Sequence, residues 1–134
     1  MLVLVTGGRD FYDFALFEAV MASLSPVPTR IRTGDARGAD RLARDWAKES
    51  NIPVEVFVAD WDSIGKIAGI IRNMDMIADK NDLPDLCIGF PGRSGTWHMM
   101  DNALEAGIPV LQVFHNGDTK YHEDKREFRK EVYL

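Results

Sequence analysis

Short apolar segments alternate with segments of helical apolar spacing along most of this 134-residue chain. The first segment, Leu2-Val3-Leu4-Val5, is a continuous apolar run of the kind found in strands buried on both faces. Similar segments predict further strands at residues 29–33, 53–59, 85–90 and 109–114. Strands that alternate with helices form βαβ units with right-handed crossovers. The pattern therefore predicts an α/β fold with a mostly parallel five-stranded sheet.

Apolar residues at spacings of three and four predict the helices between these strands. The first stripe runs from Phe14 to Leu24 and is ended by Pro26 and Pro28. The next is Ala39, Leu42, Ala43, Trp46 and Ala47, and a third is Ile70, Ile71, Met74, Ile77 and Ala78. Residues 60–69 are predicted to form a loop and residues 96–106 a helix that Gly107 closes.

A chain of this length corresponds to one domain of the usual 100–200 residues, roughly. We assign residues 1–117 to that domain. Residues 118–134 carry mixed charge, and we predict a peripheral, solvated helical tail. The alternative for this tail is a contact between copies of the chain.

Composition excludes several classes of function. The formal charge of −5 counts against duplex DNA binding, which needs a basic face. Cys87 is the single cysteine, so neither an intrachain disulfide nor a thiolate metal cluster can form, and the three histidines follow no metal-ligand spacing. No apolar run approaches the roughly 18–20 residues of a membrane span, and the start does not resemble a signal peptide. We expect a cytoplasmic protein without a metal site.

Three glycine-bearing turns follow predicted strands, at the edge where open α/β sheets bind ligands. We name them the Gly7 turn, the Gly34 turn and the Pro91 turn. Their sequences are Gly7-Gly8-Arg9-Asp10, Gly34-Asp35-Ala36-Arg37-Gly38-Ala39-Asp40 and Pro91-Gly92-Arg93-Ser94-Gly95-Thr96. None is a GxGxxG or Walker A motif.

Each turn has a structural and a functional interpretation. The Gly7 turn is either a simple tight turn or a close approach of backbone to ligand. In the Gly34 turn, Arg37 suits a phosphate or carboxylate. Asp40 either caps the next helix or places a charge in its first turn, or it accepts a hydrogen bond from a ribose hydroxyl. The amides and hydroxyls of the Pro91 turn, with Ser94 and Thr96, predict a phosphate site.

Three further residues lie near the same edge. Arg72 and Asn73 follow the predicted loop, and we expect Arg72 to contact the ligand. His98 lies one turn into the helix after the Pro91 turn, so it either faces the ligand or is a surface histidine.

These segments together resemble the YspA-like branch of the SLOG superfamily. The resemblance rests on the three turns, on Trp46-Ala47 and on Ala68-Gly69-Ile70-Ile71-Arg72-Asn73, and it extends over residues 2–113. It implies a Rossmann-like three-layer sandwich that binds nucleotides or nucleotide-derived ligands. The superfamily includes lonely-guy phosphoribohydrolases, lysine-decarboxylase-like proteins and a domain of DNA-processing protein A. Related folds are often dimeric, so a homodimer or larger homo-oligomer is compatible with the resemblance.

The chain departs from the hydrolase branch of that superfamily at two positions. That branch carries Pro-Gly-Gly-x-Gly-Thr-x-x-Glu, whereas this chain has Arg93 at the second glycine and Met99 at the glutamate. The resemblance therefore favours binding of a nucleotide or nucleotide derivative, with no other cofactor indicated. Cleavage of an N-glycosidic bond in a nucleoside monophosphate is the alternative, and single-stranded nucleic acid binding is a weaker one.

Overall fold

A six-stranded sheet forms the centre of the computed structural model, which describes residues 1–133 apart from the side chains of residues 66 and 133. The strand order is β3-β2-β1-β4-β5-β6, with all neighbours parallel except the antiparallel pair β5 and β6. The strands are β1 (Leu2–Thr6), β2 (Arg30–Gly34), β3 (Val54–Phe57), β4 (Leu86–Gly89), β5 (Val110–Val113) and β6 (Thr119–His122). The α/β class and the mostly parallel sheet are confirmed.

Helices cover both faces of the sheet, which gives the Rossmann-like sandwich. They are α1 (Phe14–Ala22), α2 (Ala39–Glu49), α3 (Trp61–Ile64), α4 (Ala68–Asp75), α5 (Ser94–Glu105) and α6 (Lys125–Tyr133). Successive residues of β1 point to opposite faces of the sheet. Val3 and Val5 pack in a first core layer with residues of α1 and α2, whereas Leu4 packs in a second core layer with residues of α5 and α6. Among the described residues 1–133, no helix is both long enough and apolar enough to cross a membrane.

The segment before the third predicted helix differs from the sequence-based expectation. Residues 60–69 are not a loop, because α3 and a 3₁₀ turn at Gly65–Ile67 precede α4. The apolar stripe of α4 also does not face the core. Ile70, Ile71 and Met74 are exposed, and α4 instead buries Ala68 and Asn73.

The C-terminal segment is part of the domain core, so the prediction of a peripheral tail is wrong. β6 extends the sheet to a sixth strand, paired antiparallel to β5 from Val110–His122 to Val113–Thr119. Phe128 on α6 is fully buried, and its ring packs edge-on against His122 with a centroid distance of 5.1 Å. This aromatic contact joins β6, α6 and the second core layer.

Candidate ligand-binding cleft

The three glycine turns meet at one end of the sheet, and Gly8 joins them. Its N–H donates to the Pro91 carbonyl at 2.9 Å, and its own carbonyl accepts from the N–H of Ala39 at 3.1 Å. β1 is the strand at which the order reverses, because β2 and β3 lie on one side of it and β4 and β5 on the other. Ligands of open α/β sheets bind at this switch point, outside the carboxyl ends of the strands.

Close backbone packing explains the glycines at two of these positions. A Cβ on residue 8 would lie 2.7 Å from the Pro91 carbonyl oxygen. Gly38 has a φ of +76°, and a Cβ there would lie 2.6 Å from the carbonyl carbon of Arg9. Larger residues at either position would separate the turns, so the glycines hold the turns together as well as leaving room beside them.

A cleft of about 850 Å³ opens between the turns, α4 and α5. The predicted ligand-binding residues are those of the three turns except Asp35 and Ala39, together with Arg72 and Asn73, and fifteen of these seventeen line the cleft. They are Gly7, Gly8, Arg9, Asp10, Ala36, Arg37, Asp40, Arg72, Asn73, Pro91, Gly92, Arg93, Ser94, Gly95 and Thr96. Gly34 and Gly38 do not line the cleft. Gly38 packs against the Gly7 turn, and Gly34 leaves room for the side chains of Arg72 and Asp40.

The amino end of α5 faces this cleft. α5 begins at Ser94, two residues earlier than predicted, so Ser94, Gly95 and Thr96 form its first helical turn. No side chain caps this end, and none caps the amino end of α2 after Gly38. Amide groups at an uncapped helix start need other partners, and the helix dipole makes an anion a favourable one.

Arg72 lines the cleft and is paired with carboxylates, and its contact with a ligand stays a prediction. Its Nη1 donates to Asp35 Oδ1 at 2.8 Å and lies 4.0 Å from Asp40 Oδ2. The Arg72 side chain is only 11% exposed. Arg72 and its two carboxylate neighbours together carry no surplus positive charge. Because Arg72 lies on α4 and both carboxylates belong to the Gly34 turn, the ion pair holds this turn against α4.

Asp40 lies in the first turn of α2, as one of its structural interpretations predicts, but it does not cap the helix, since Gly38 occupies the N-cap position. The Asp40 carboxylate is buried and accepts a hydrogen bond from the Ala36 N–H at 3.2 Å, inside the Gly34 turn. Burial raises the pKa of Asp40 to about 6, against the opposing effect of Arg72. A buried carboxylate with a raised pKa in a cleft is typical of functional sites.

The exposed cations of the cleft come from the turns. Arg37 is 65% exposed and pairs with Asp10 at 3.3 Å, an exposed contact of the kind that adds little stability. Arg93 is exposed at the N-cap of α5. Arg9 is exposed and places its guanidinium carbon 5.2 Å from the centre of the Trp61 ring. All three side chains line the cleft.

Asn73 connects α4 to the start of α5. Its Nδ2 donates to the Gly95 carbonyl at 3.2 Å, and its Oδ1 accepts from Arg72 Nε at 3.2 Å. His98 lines the cleft rather than the outer surface, with Nδ1 3.4 Å from Asn73 Nδ2 and Nε2 2.9 Å from Asn102 Nδ2. The polar contacts of Asn73 therefore hold the first turn of α5 in place.

Comparison with known sequences identifies the family. Residues 1–63 match the YspA, cpYpsA-related SLOG family. The Gene 61 protein of Mycobacterium phage D29 is 40% identical over 119 residues, which cover 81% of this chain and 93% of the phage protein. The chain belongs to the YspA, cpYpsA-related SLOG family. No solved structure is significantly similar to it.

This SLOG domain has no carboxylate at the position where the hydrolase branch has its glutamate. Met99 is fully buried in the second core layer and does not line the cleft. Asp101, further along α5, pairs with Arg129 Nε at 2.7 Å. Arg93, in place of a glycine, stands at the cleft wall. Of Asp10, Asp40 and Asp101, the first two line the cleft.

The SLOG cleft also contains residues that sequence reasoning missed. These are Thr6, Phe11, Trp61, Gly69, Ile70 and His115. Trp61 carried a usable signal, since it follows the third strand at the same sheet edge as the glycine turns. In residues 1–133, leaving aside the two undescribed side chains, no group of three metal-binding side chains is present.

Proposed function

We propose that this protein binds a nucleotide or a nucleotide-derived ligand in the cleft, with a phosphate group at the amino end of α5. The observation that carries the proposal is the uncapped first turn of α5, whose residues 94–96 line the cleft. Backbone amides and the positive end of the helix dipole favour an anion there. Arg93 at the cleft wall adds a guanidinium suited to phosphate oxygens.

The rest of the cleft suits the remainder of such a ligand. Its volume of about 850 Å³ is in the range of small-molecule sites. It lies beside the β1–β4 switch point, and membership of the SLOG family agrees with a nucleotide-related role. Arg9 and Arg37 are exposed at its wall and provide local positive potential on a chain of formal charge −5.

A carboxylate placed at Gly95 is expected to weaken binding of ribose 5-phosphate by about 10- to 100-fold. Gly95 lines the cleft, and a Cβ built on it meets no atom within 4 Å, so Gly95→Asp introduces no clash. Aspartate in the first turn stabilises a helix, so the fold should be retained. The same charge repels a bound phosphate. Isothermal titration calorimetry with the full chain measures the change.

Gly95→Ala is the matched control, because it makes the same backbone change without adding a charge. We expect it to stay within about threefold of the wild type, since its methyl group has open space. Equal affinities of Gly95→Asp and Gly95→Ala would show that the anion does not bind at the start of α5.

Cleavage of an N-glycosidic bond is the second candidate, and Asp40 is the observation that favours it. Asp40 lines the cleft and has a pKa of about 6, which is suitable for general acid–base chemistry near neutral pH. Its carboxylate is engaged by the Ala36 N–H and held near Arg72. A carboxylate tied into the turn in this way is poorly placed to move a proton on a ligand.

We expect no release of free base when the protein is incubated with a panel of nucleoside monophosphates. The physical reason is the apolar Met99 side chain, buried in the core at the position of the hydrolase glutamate. Chromatography of the reaction mixture detects the free base. Release that is lost in Asp40→Asn and retained in the exposed variant Asp45→Asn would establish the hydrolase instead.

A further inference from the structure

Trp61 presents a large aromatic ring at the cleft wall, although it lies outside the three glycine turns. It is the first residue of α3 and is 41% exposed. Its ring rests against the first turn of α4, where a Cβ on residue 69 would lie 2.9 Å from Cη2 of the indole. Gly69 therefore lets the indole lie directly on the α4 backbone, which supports the ring from one side.

A planar cationic group already occupies the indole face. The guanidinium carbon of Arg9 lies 5.2 Å from the ring centroid. Guanidinium groups and nucleobases are both flat and delocalised, and both stack on aromatic side chains. Arg9 is exposed, so this contact can be exchanged for another planar group at low cost.

The Gly7 turn contacts both the indole, through Arg9, and the Pro91 turn, through Gly8. Arg9, which contacts the indole, directly follows Gly8. The Gly8 N–H donates a hydrogen bond to the Pro91 carbonyl at 2.9 Å. Trp61 and residues 92–96 both line the same cleft. A ligand with an anionic group at α5 thus has an aromatic surface available in the same cleft.

We propose that Trp61 is the base-stacking residue of this cleft, so that its ligand carries a planar heteroaromatic base as well as a phosphate. The base stacks on the indole in the place that the Arg9 guanidinium holds. Stacking depends on the area of the π-face, so a purine binds more tightly than a pyrimidine. This inference rests on the proposed nucleotide-binding function, because it requires the phosphate end of the ligand to be bound.

The test compares ligands that differ by the base. Adenosine 5′-monophosphate, cytidine 5′-monophosphate and ribose 5-phosphate are titrated calorimetrically into the wild type, Trp61→Leu and Trp61→Phe. We expect the wild type to bind adenosine monophosphate about tenfold or more tightly than ribose 5-phosphate, with cytidine monophosphate between them. Trp61→Leu should remove that difference and leave ribose 5-phosphate affinity within twofold. Trp61→Phe, which retains a smaller ring, should keep part of the difference.

Trp46→Leu is the matched control. Trp46 packs against the core layer that Val3 and Val5 form with α1 and α2, and it does not line the cleft. It should retain the full advantage of adenosine monophosphate over ribose 5-phosphate. If that advantage survives in Trp61→Leu, or is absent from the wild type while ribose 5-phosphate still binds, the stacking role is wrong and the phosphate site stands. If none of the three ligands binds the wild type, the proposed function itself fails, and the stacking role with it.

Discussion

Replacing Phe128 with alanine is expected to lower the free energy of unfolding by about 3–5 kcal/mol. Phe128 is fully buried and packs with residues of β4, β5 and α5, and its ring meets His122 edge-on. The substitution would leave a cavity where α6 meets the sheet. Guanidinium-induced unfolding followed by circular dichroism measures the loss. A large effect at this position demonstrates that residues 118–133 contribute to the stability of the domain.

Phe14→Ala provides the control, because it removes the same atoms from a residue that is 45% exposed. Its partial burial predicts a loss of about 1 kcal/mol. Losses of equal size in the two variants would contradict the packing of α6 on the core.

Asp40→Asn is expected to stabilise the protein above pH 6, by as much as about 3 kcal/mol at pH 8. Burial raises the pKa of Asp40 from its ordinary value of 3.8 to about 6 in the folded protein. Between pH 3.8 and about 6, Asp40 therefore keeps its proton in the folded state and has released it in the unfolded state. The stability that the protonated Asp40 contributes is fully present below pH 3.8 and is lost as the pH rises through about 6. Asparagine carries no charge and retains an oxygen that can accept the Ala36 N–H.

Thermal unfolding of the wild type and Asp40→Asn between pH 4 and pH 8 tests this expectation. The two proteins should have similar stability at pH 4 and diverge as the pH rises. Asp45→Asn, at an exposed position of the same helix, should show a small difference that does not change with pH. If Asp40→Asn is no more stable than the wild type at pH 8, the ionised Asp40 carboxylate does not destabilise the fold. A gain in stability would mean that the protein retains a costly charge in its cleft, as functional sites often do.

Local patterns were sufficient to predict the five parallel strands of the sheet and the position of the cleft. The apolar run of β1 and the helical stripe of α2 are determined by residues that are close in sequence. The glycine turns were found because they follow strands, and the carboxyl ends of parallel strands meet at one edge. The approach of the turns to one another depends on backbone contacts such as that of Gly8 with Pro91, and sequence patterns do not contain that information.

The errors come from features that depend on distant partners. β6 has a single buried residue, His122, so its apolar pattern is too weak to predict a strand. The α4 stripe has helical spacing, but spacing does not reveal which side of a helix meets the sheet. The sequence predicts the position of Arg72 at the cleft. It does not predict the ion pair of Arg72 with Asp35, because the two residues are 37 positions apart in the sequence.

The hydrogen bonds of Gly8 have a consequence for the thermodynamics of binding. Because one residue is bonded to both neighbouring turns, the protein itself fixes the end of the cleft at α5, where we propose that a phosphate binds. Little conformational entropy then has to be lost when an anion binds there. The Gly8 amide proton, bonded to Pro91, should exchange slowly with solvent even in the ligand-free protein. The described hydrogen bonds of the four-residue α3 stay within residues 60–65 and do not reach another turn, so changes in exchange on binding should be concentrated in α3.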